Sequence, residues 1–254
     1  MVRKKDDLPR GIIKKSFDKE AWKPRTELGR KVKSGEISSM EEVVNSGRKI
    51  LEPEIVDALL QNLESDFINI GQSKGKFGGG KRSIWRQTQK KTKEGNKPKF
   101  STLIVVGNRN GYVGLGRGKA KETMPAREKA LRQAKLNIIK IIRGCGSWEG
   151  SPAPNSIPFA VEGKCGSVRI KLMPAPNGTG LCVENECKKM LALAGIKDIY
   201  SKTFGQTKVK INLLGACFEA LKNLSLVKIN QDQMKKLGYL EGSLSDGNAE
   251  DSSN

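Results

Sequence analysis

The stretch from Phe100 to Ile142 constrains the fold more than any other part of the chain. "FSTLIVV" (100–106) is apolar and β-branched, "GNRNG" (107–111) supplies a turn, and "YVGLG" (112–116) resumes as a second strand. From Glu122 the apolar period lengthens from two to about 3.6 residues. Pro125 suits the first turn of a helix, and Ala126, Ala130, Ala134, Ile138, Ile141 and Ile142 recur on one face. Ahead of this block, "IWRQTQKKT" (84–92) reads as a polar strand and "KEGNK" (93–97) as a basic turn. The expectation is three antiparallel strands backed by one helix.

A second unit follows "RGCGSWEGSPAPNS" (143–156), which reads as a Gly/Pro/Ser hinge. Strands are expected at "IPFAVEG" (157–163) and "GSVRIKLM" (166–173). A loop "PAPNGTG" (174–180), a helix through "CKKMLALAG" (187–195), a strand "IKDIYSK" (196–202) and a helix "VKINLLGACFEALKNL" (209–224) complete the order β-β-α-β-α. Upstream, residues 1–84 read as short helices joined by loops. Ser39 to Glu42 forms a capping box ahead of "MEEVVNSG" (40–47). Pro53 opens "PEIVDALLQNL" (53–63), where Ile55, Val56, Leu59, Leu60 and Leu63 make a single apolar stripe that must dock on a neighbour. "GQSKGKFGGGKRS" (71–83) reads as a mobile basic linker, and residues 225–254 as a polar, disordered tail. The expected boundaries are 1–75 for the extension, 76–147 and 155–224 for the folded units, and 225–254 for the tail.

Charge narrows the function. The 254 residues include 47 Lys and Arg against 27 Asp and Glu, a net +20. Residues 71–143 alone hold 20 basic and 3 acidic side chains. A concentrated basic bias is the footprint of a polyanion binder. The five cysteines form no C-x-x-C pair and there is no histidine, which argues against a zinc site, a secreted disulfide framework and the commonest general base. No apolar run approaches the roughly 18 residues of a membrane span, and "MVRKKDDLPRG" lacks a signal-peptide core, so an intracellular protein is expected.

The stretch "GYVGLGRGKAKE" (111–122) ends in a Gly-Lys that suggests phosphate binding. Nucleotide motifs fail on spacing. The Walker pattern needs a glycine where Val113 stands and Ser or Thr where Ala120 stands. The dinucleotide pattern needs a third glycine at Lys119 or Lys121. Glycines there also suit a plain tight hairpin, but Arg117, Lys119 and Lys121 fit the backbone phosphates of folded RNA. The candidate RNA contacts are Lys81, Arg82, Arg86, Lys90, Lys91, Lys93, Lys97, Lys99, Arg109, Asn110, Arg117, Lys119, Lys121 and Arg143. Trp85 and Trp148 either stack on bases or pack at a domain edge. Asp198, Glu184 and Glu186 suit capping or ion pairs rather than acid/base work.

"LIVVGNRNGYVGLGRGKAKE", "KAL", "GSVRIKLMPAPNGTGL" and "LAGIKDIYSKTFGQTKVKINLLGACFEAL" together closely resemble the family of the fifth protein of the small ribosomal subunit, over roughly residues 80–224. "WKPRTELGR", "EPEIVDALL" and "AKLNIIKIIRGCGSWE" resemble its archaeal and eukaryotic branch, the archaeal more closely. Asn96 (followed by Lys97), Thr123 and Arg127 depart from the usual pattern. The resemblance implies an α+β fold: an N-terminal helical extension, a double-stranded-RNA-binding-like domain, and a β-β-α-β-α two-layer sandwich shared with certain small-molecule kinases. It implies a non-enzymatic role in the cytoplasmic ribosome, binding small-subunit rRNA and supporting assembly and decoding accuracy. The fourth and eighth small-subunit proteins are the implied neighbours, with Gly178, Gly180 and Lys188 at the seam with the fourth. No cofactor, metal, DNA or membrane is implied. Two alternatives are a free RNA chaperone or annealing protein and a kinase-like enzyme. Against the latter, "PAPNGTGL" has Gly178, Thr179 and Gly180 but no following serine pair.

Overall fold

Short polar side chains start the helices of the extension. The computed structural model describes residues 19–60, 62–72, 82–146, 154–227 and 238–242. Thr26 caps α1 (Glu27–Ser34) by accepting from the Gly29 N–H, and Ser39 caps α2 (Met40–Asn45) by accepting from that of Glu42. Pro53 occupies the first position of α3 (Pro53–Leu59). Leu28, Val32, Met40, Val43, Ile55 and Val56 then pack with Tyr112 and Ile138 of the first folded unit. The stripe on α3 therefore docks as expected, reinforced by Lys135 on Asp57 at 2.6 Å. The helix is shorter than its apolar pattern. Leu60 turns extended, and the chain feeds β1 (Glu64–Phe67), a strand absent from the helical expectation for 1–84.

Buried Glu52 locks the extension's entry by accepting from the backbone N–H groups of Arg25 and Thr26, at 2.8 and 2.5 Å. Burial pushes its carboxyl pKa up, but the N–H groups of Thr26 and Arg25 outweigh burial and hold it below the ordinary 4.5. A depressed carboxyl stabilises above its unfolded pKa and loses that contribution as pH falls through the folded value. Glu52→Gln is expected to cost about 2 kcal/mol at pH 7 and much less at pH 3. Melting curves at both pH values check this, and an equal deficit at each would remove the charge from the explanation.

The first sheet is antiparallel throughout. It runs β1-β3-β4-β5, with β2 added on β3. Its further strands are β2 (Arg86–Thr92), β3 (Gly95–Gly107), β4 (Tyr112–Ala120) and β5 (Ile138–Lys140). β3 is 13 residues long, and one edge carries two partners end to end. β2 pairs from Arg86↔Ser101 to Thr92↔Gly95, and β1 from Phe67↔Ile104 to Glu64↔Gly107. The expected turn over 93–97 tightens to Lys93-Glu94, with Gly95 at φ +111°.

Helix α4 (Thr123–Leu136) lies across β3 and β4. β4 presents a glycine at every second position, and α4 an alanine at every fourth. A Cβ on Gly114, Gly116 or Gly118 would sit 2.0–2.2 Å from the carbonyl oxygen of Ala134, Ala130 or Ala126. The strand expected over 112–116 runs on to Ala120, and its glycines let a helix backbone touch a sheet backbone.

In the second unit, β7 (Val161–Cys165), β8 (Val168–Pro174), β9 (Leu181–Cys182) and β10 (Ile199–Phe204) form a sheet ordered β7-β8-β10-β9. Helices α5 (Asn185–Ala194) and α6 (Lys210–Leu224) pack on one face. The expected order gains only β9, two residues parallel to β10. The first strand lies later than expected because Pro158 has no N–H to give a ladder and Ile157 is buried in the core.

The two units share one apolar core. Ile68, Leu103, Val105, Val113, Ile141 and Ile142 belong to the same cluster as Val168, Ile170, Met190, Leu191 and Leu214. Neither segment between or after the units is loose throughout. Gly144 pairs with Ser156 across the expected hinge. β11 (Leu240–Glu241), inside the expected disordered tail, pairs antiparallel with β6 (Ile142–Arg143). The expected linker falls largely on residues 73–81, outside the described set.

Candidate nucleic-acid interface

Directly opposed residues in an antiparallel ladder share a face, and successive residues alternate. On β4, the glycines face α4, and Val113, Leu115, Arg117 and Lys119 face away. The register carries that second face to Leu103, Ser101, Lys99 and Lys97 on β3, and to Arg86, Thr88 and Lys90 on β2. At one end it is covered, where Leu103, Val105 and Val113 join the shared core. At the other end Arg86, Lys90, Lys97, Lys99, Arg117 and Lys119 are all exposed. Arg86, Ser101 and Lys119 stand in one row across three strands, and Lys90 stands opposite Lys97.

Such a face carries mutual repulsion that a polyanion relieves. Neighbouring strands lie about 4.8 Å apart and same-face residues about 7 Å apart along a strand. Among the described residues, the ion pairs leave five of the six cations without a carboxylate. The exception is Lys97, 2.5 Å from Glu94 at the hairpin tip. Arg117 Nε donates to Ser101 Oγ at 3.4 Å.

The other candidate contacts separate into groups. Lys91 lies on the opposite face of the hairpin, Lys93 at its tip, and Lys121 just beyond β4; all are exposed. Arg82 is half-buried and donates to the Lys208 carbonyl at 3.2 Å. Arg109, left-handed at φ 56°, grips Glu64 through Nε at 3.0 Å and Nη2 at 2.8 Å. Its backbone N–H donates to the Leu193 carbonyl, so this turn holds the two units together. Asn110 accepts from Arg143 Nη2 at 2.6 Å. Arg143 itself is only 4% exposed, also donates to the Gly242 carbonyl, and has its pKa lowered by burial. It is a buried tie rather than a surface contact, a correction that follows from the fold-back of 238–242. Lys81 and Trp148 lie outside the described residues. Trp85 is half-buried with the Arg127 guanidinium 4.3 Å from its ring centre, and the same cation stands 5.1 Å from Phe67. The departure at Arg127 is thus absorbed between two rings.

The loop 174–180 is not a phosphate cradle. Gly178 and Gly180 have φ of +87° and +73°, and a Cβ at either would meet open space. Within the chain their requirement is conformational, because a side chain at a positive φ is strained even where there is room for it. The Gly180 N–H donates to Asp198 Oδ1 at 2.7 Å. Glu184 accepts from the Glu186 N–H at the start of α5 and pairs with Lys210 at 2.6 Å. Glu186 accepts from Asn69. An incoming phosphate would meet carboxylates at a helix start whose first groups are already engaged. Lys188 is exposed, one turn into α5.

The five cysteines are free, and Cys187 and Cys217 are buried. A hydrogen bond with Cys217, together with burial, pushes the Cys187 thiol pKa up, the opposite of a reactive thiolate. Among the described residues no group of His, Cys, Asp and Glu could hold a metal ion, and no helix is long and apolar enough to cross a membrane.

Comparison with known proteins agrees with this architecture. Residues 84–142 match the family model "Ribosomal protein S5, N-terminal domain", and residues 163–236 match "Ribosomal protein S5, C-terminal domain". The small ribosomal subunit protein uS5 of Nanoarchaeum equitans is 50% identical over 226 residues, 89% of this chain and 97% of that protein. The uS5 proteins of Methanococcus maripaludis and Methanocaldococcus jannaschii are each 45% identical. They cover 90% and 89% of this chain, and 96% and 98% of their own lengths. With both domain models in order and archaeal relatives aligned over most of its length, the chain belongs to the ribosomal protein S5 family, structural and non-enzymatic components of the small ribosomal subunit.

Proposed function

We propose that the chain binds small-subunit rRNA through the open basic half of its first sheet. In that place it serves subunit assembly and decoding accuracy in cytoplasmic ribosomes. The observation that carries the reading is the gathering of Arg86, Lys90, Lys97, Lys99, Arg117 and Lys119 on one exposed face. Other cations of the same unit are held inside the protein, as Lys135 is by Asp57 and Lys140 by Glu241. Structured RNA is recognised largely by shape and phosphate position, which a rigid basic sheet supplies.

Each lost phosphate contact lowers the steepness of log K against log salt by roughly 0.7 to 0.9. Arg117→Ala with Lys119→Ala is therefore expected to lower the slope by about 1.5 and affinity for an rRNA fragment about tenfold. Lys91→Ala, on the other face, is expected to change both far less. A salt titration of the three proteins checks this. Equal losses in both variants would replace the face with diffuse charge.

The fourth and eighth small-subunit proteins are the neighbours we assign to the chain, the fourth at the second unit. Exposed Lys188 beside the 174–180 loop supports the seam with the fourth. A short amine-reactive cross-linker applied to intact subunits should join Lys188 to that protein; a link only to other partners rejects the seam.

A further inference from the structure

The second sheet has an open face of its own. Helices α5 and α6 cover the side that carries Val161, Val168, Ile170, Leu172 and Ile199. On the other side the register lays out three rows. Lys164, Arg169 and Phe204 form the first, and Glu162, Lys171 and Lys202 the second. Met173, Tyr200 and Cys182 form the third. Phe204 is 43% and Tyr200 40% exposed, two of the few large apolar side chains left on the surface among the described residues. The Phe204 ring is flanked by cations, with the Arg169 guanidinium 5.9 Å and the Lys202 ammonium 5.7 Å from its centre. A hollow of about 210 Å³ lined by Glu162, Arg169, Ile170, Lys171 and Phe204 opens beside it.

Four cations and a single acid occupy the nine positions, and the acid, Glu162, is paired with Lys171 at 3.4 Å. Rings, Met and Arg occur in protein–protein interfaces as well, but three of the nine positions are lysines, which such interfaces avoid, so the cation excess favours a polyanion as the occupant. Exposed rings on a sheet, bordered by Lys and Arg, form the platform on which unpaired bases stack while cations hold the backbone. None of these residues belongs to the basic stretch 71–143 or to the 174–180 loop.

We infer that this face is a second RNA contact, for a single-stranded segment whose unstacked bases lie on Phe204 and Tyr200 while Lys164, Arg169 and Lys202 hold its phosphates. The inference rests on the RNA-binding reading, but it assigns unpaired RNA to the second unit and structured RNA to the first. Base–aromatic stacking contributes about 1 to 3 kcal/mol per base, so each ring is worth roughly 5- to 140-fold in affinity.

The test uses the full chain with two probes, a ten-nucleotide oligouridine and a duplex rRNA fragment. Phe204→Ala with Tyr200→Ala is expected to weaken oligouridine binding at least tenfold with an unchanged salt slope, because stacking releases no counterions. Duplex binding should persist, and Phe204→Trp should retain oligouridine. Arg117→Ala with Lys119→Ala should do the reverse, lowering the duplex slope and sparing oligouridine. Oligouridine affinity untouched by loss of both rings overturns the inference while leaving the first interface standing. Wild-type protein that binds neither probe overturns the RNA reading itself. Normal oligouridine binding with loss of the double variant from assembled subunits assigns the face to a protein neighbour instead.

Discussion

Replacing Gly116 with alanine is expected to destabilise the protein by about 3 kcal/mol or more, lowering its melting temperature by roughly 6–12 °C. The added methyl would sit 2.2 Å from both the Ala130 carbonyl oxygen and the Ala134 nitrogen. Those atoms belong to the backbone of α4, so no side-chain rotation relieves the clash. The helix must lift as a unit, and lifting it pulls its own Ala130 and Ala134 away from Ile104 and Val106 of β3, with which they pack. Gly178→Ala is the matched control. That site has open space and carries only the cost of a left-handed conformation, about 1–2 kcal/mol. Thermal melts of the two variants decide between steric and conformational roles. If Gly178→Ala proves as costly as Gly116→Ala, close packing of α4 is not what the β4 glycines provide. Below its transition, the Gly116 variant should bind rRNA with near wild-type affinity, because the cations of β4 point away from the helix.

How much of this was legible depends on where each interaction's partner lies in the chain. The hairpin over 100–116, the alanine face of α4 and both helices of the second unit are local periodicities, visible without tertiary knowledge. The role of Gly116 was not, because the atoms that exclude a side chain belong to Ala130 and Ala134, on an element whose docking the sequence does not state. Strand β1 was invisible for a related reason. "ESDF" has no strand pattern of its own and pairs because β3 offers an apolar edge between Ile104 and Gly107. The basic site was legible as composition but not as a surface. Lys90 and Lys91 are adjacent in sequence and lie on opposite faces, and only the register that aligns Arg86, Ser101 and Lys119 separates them. Arg143 resembled any other cation until residues 238–242 returned to bury it. The platform around Phe204 lay in a region without a marked charge excess, where only the sheet brings cations and rings together.

Asp198 is a buried polar residue of the second unit whose loss is expected to cost heavily, about 4 kcal/mol for Asp198→Ala. It is 3% exposed, and its two oxygens satisfy two segments at once. Oδ1 accepts from the Gly180 N–H at 2.7 Å and Oδ2 from Asn155 Nδ2 at 2.9 Å. Alanine leaves both donors without an acceptor, at about 1–3 kcal/mol each. The effect then spreads through Asn155. Its carbonyl accepts from the N–H groups of Lys197 and Asp198, and its Oδ1 accepts from the Gly146 N–H at 3.3 Å. A freed Asn155 loosens the link between the units where Gly144 pairs with Ser156. Asparagine at 198 is an incomplete substitute. One side-chain atom still accepts from Gly180, but the amide then turns a donor toward the donor of Asn155. The expected order of stability is wild type, then Asp198→Asn, then Asp198→Ala, with the asparagine variant near the midpoint. Denaturant titration gives the order, and hydrogen exchange at the Gly180 and Gly146 amides locates the damage. Faster exchange at Gly180 with Gly146 unchanged would confine Asp198 to its loop. An alanine variant within about 1 kcal/mol of wild type would show that water serves both donors as well as the carboxylate does.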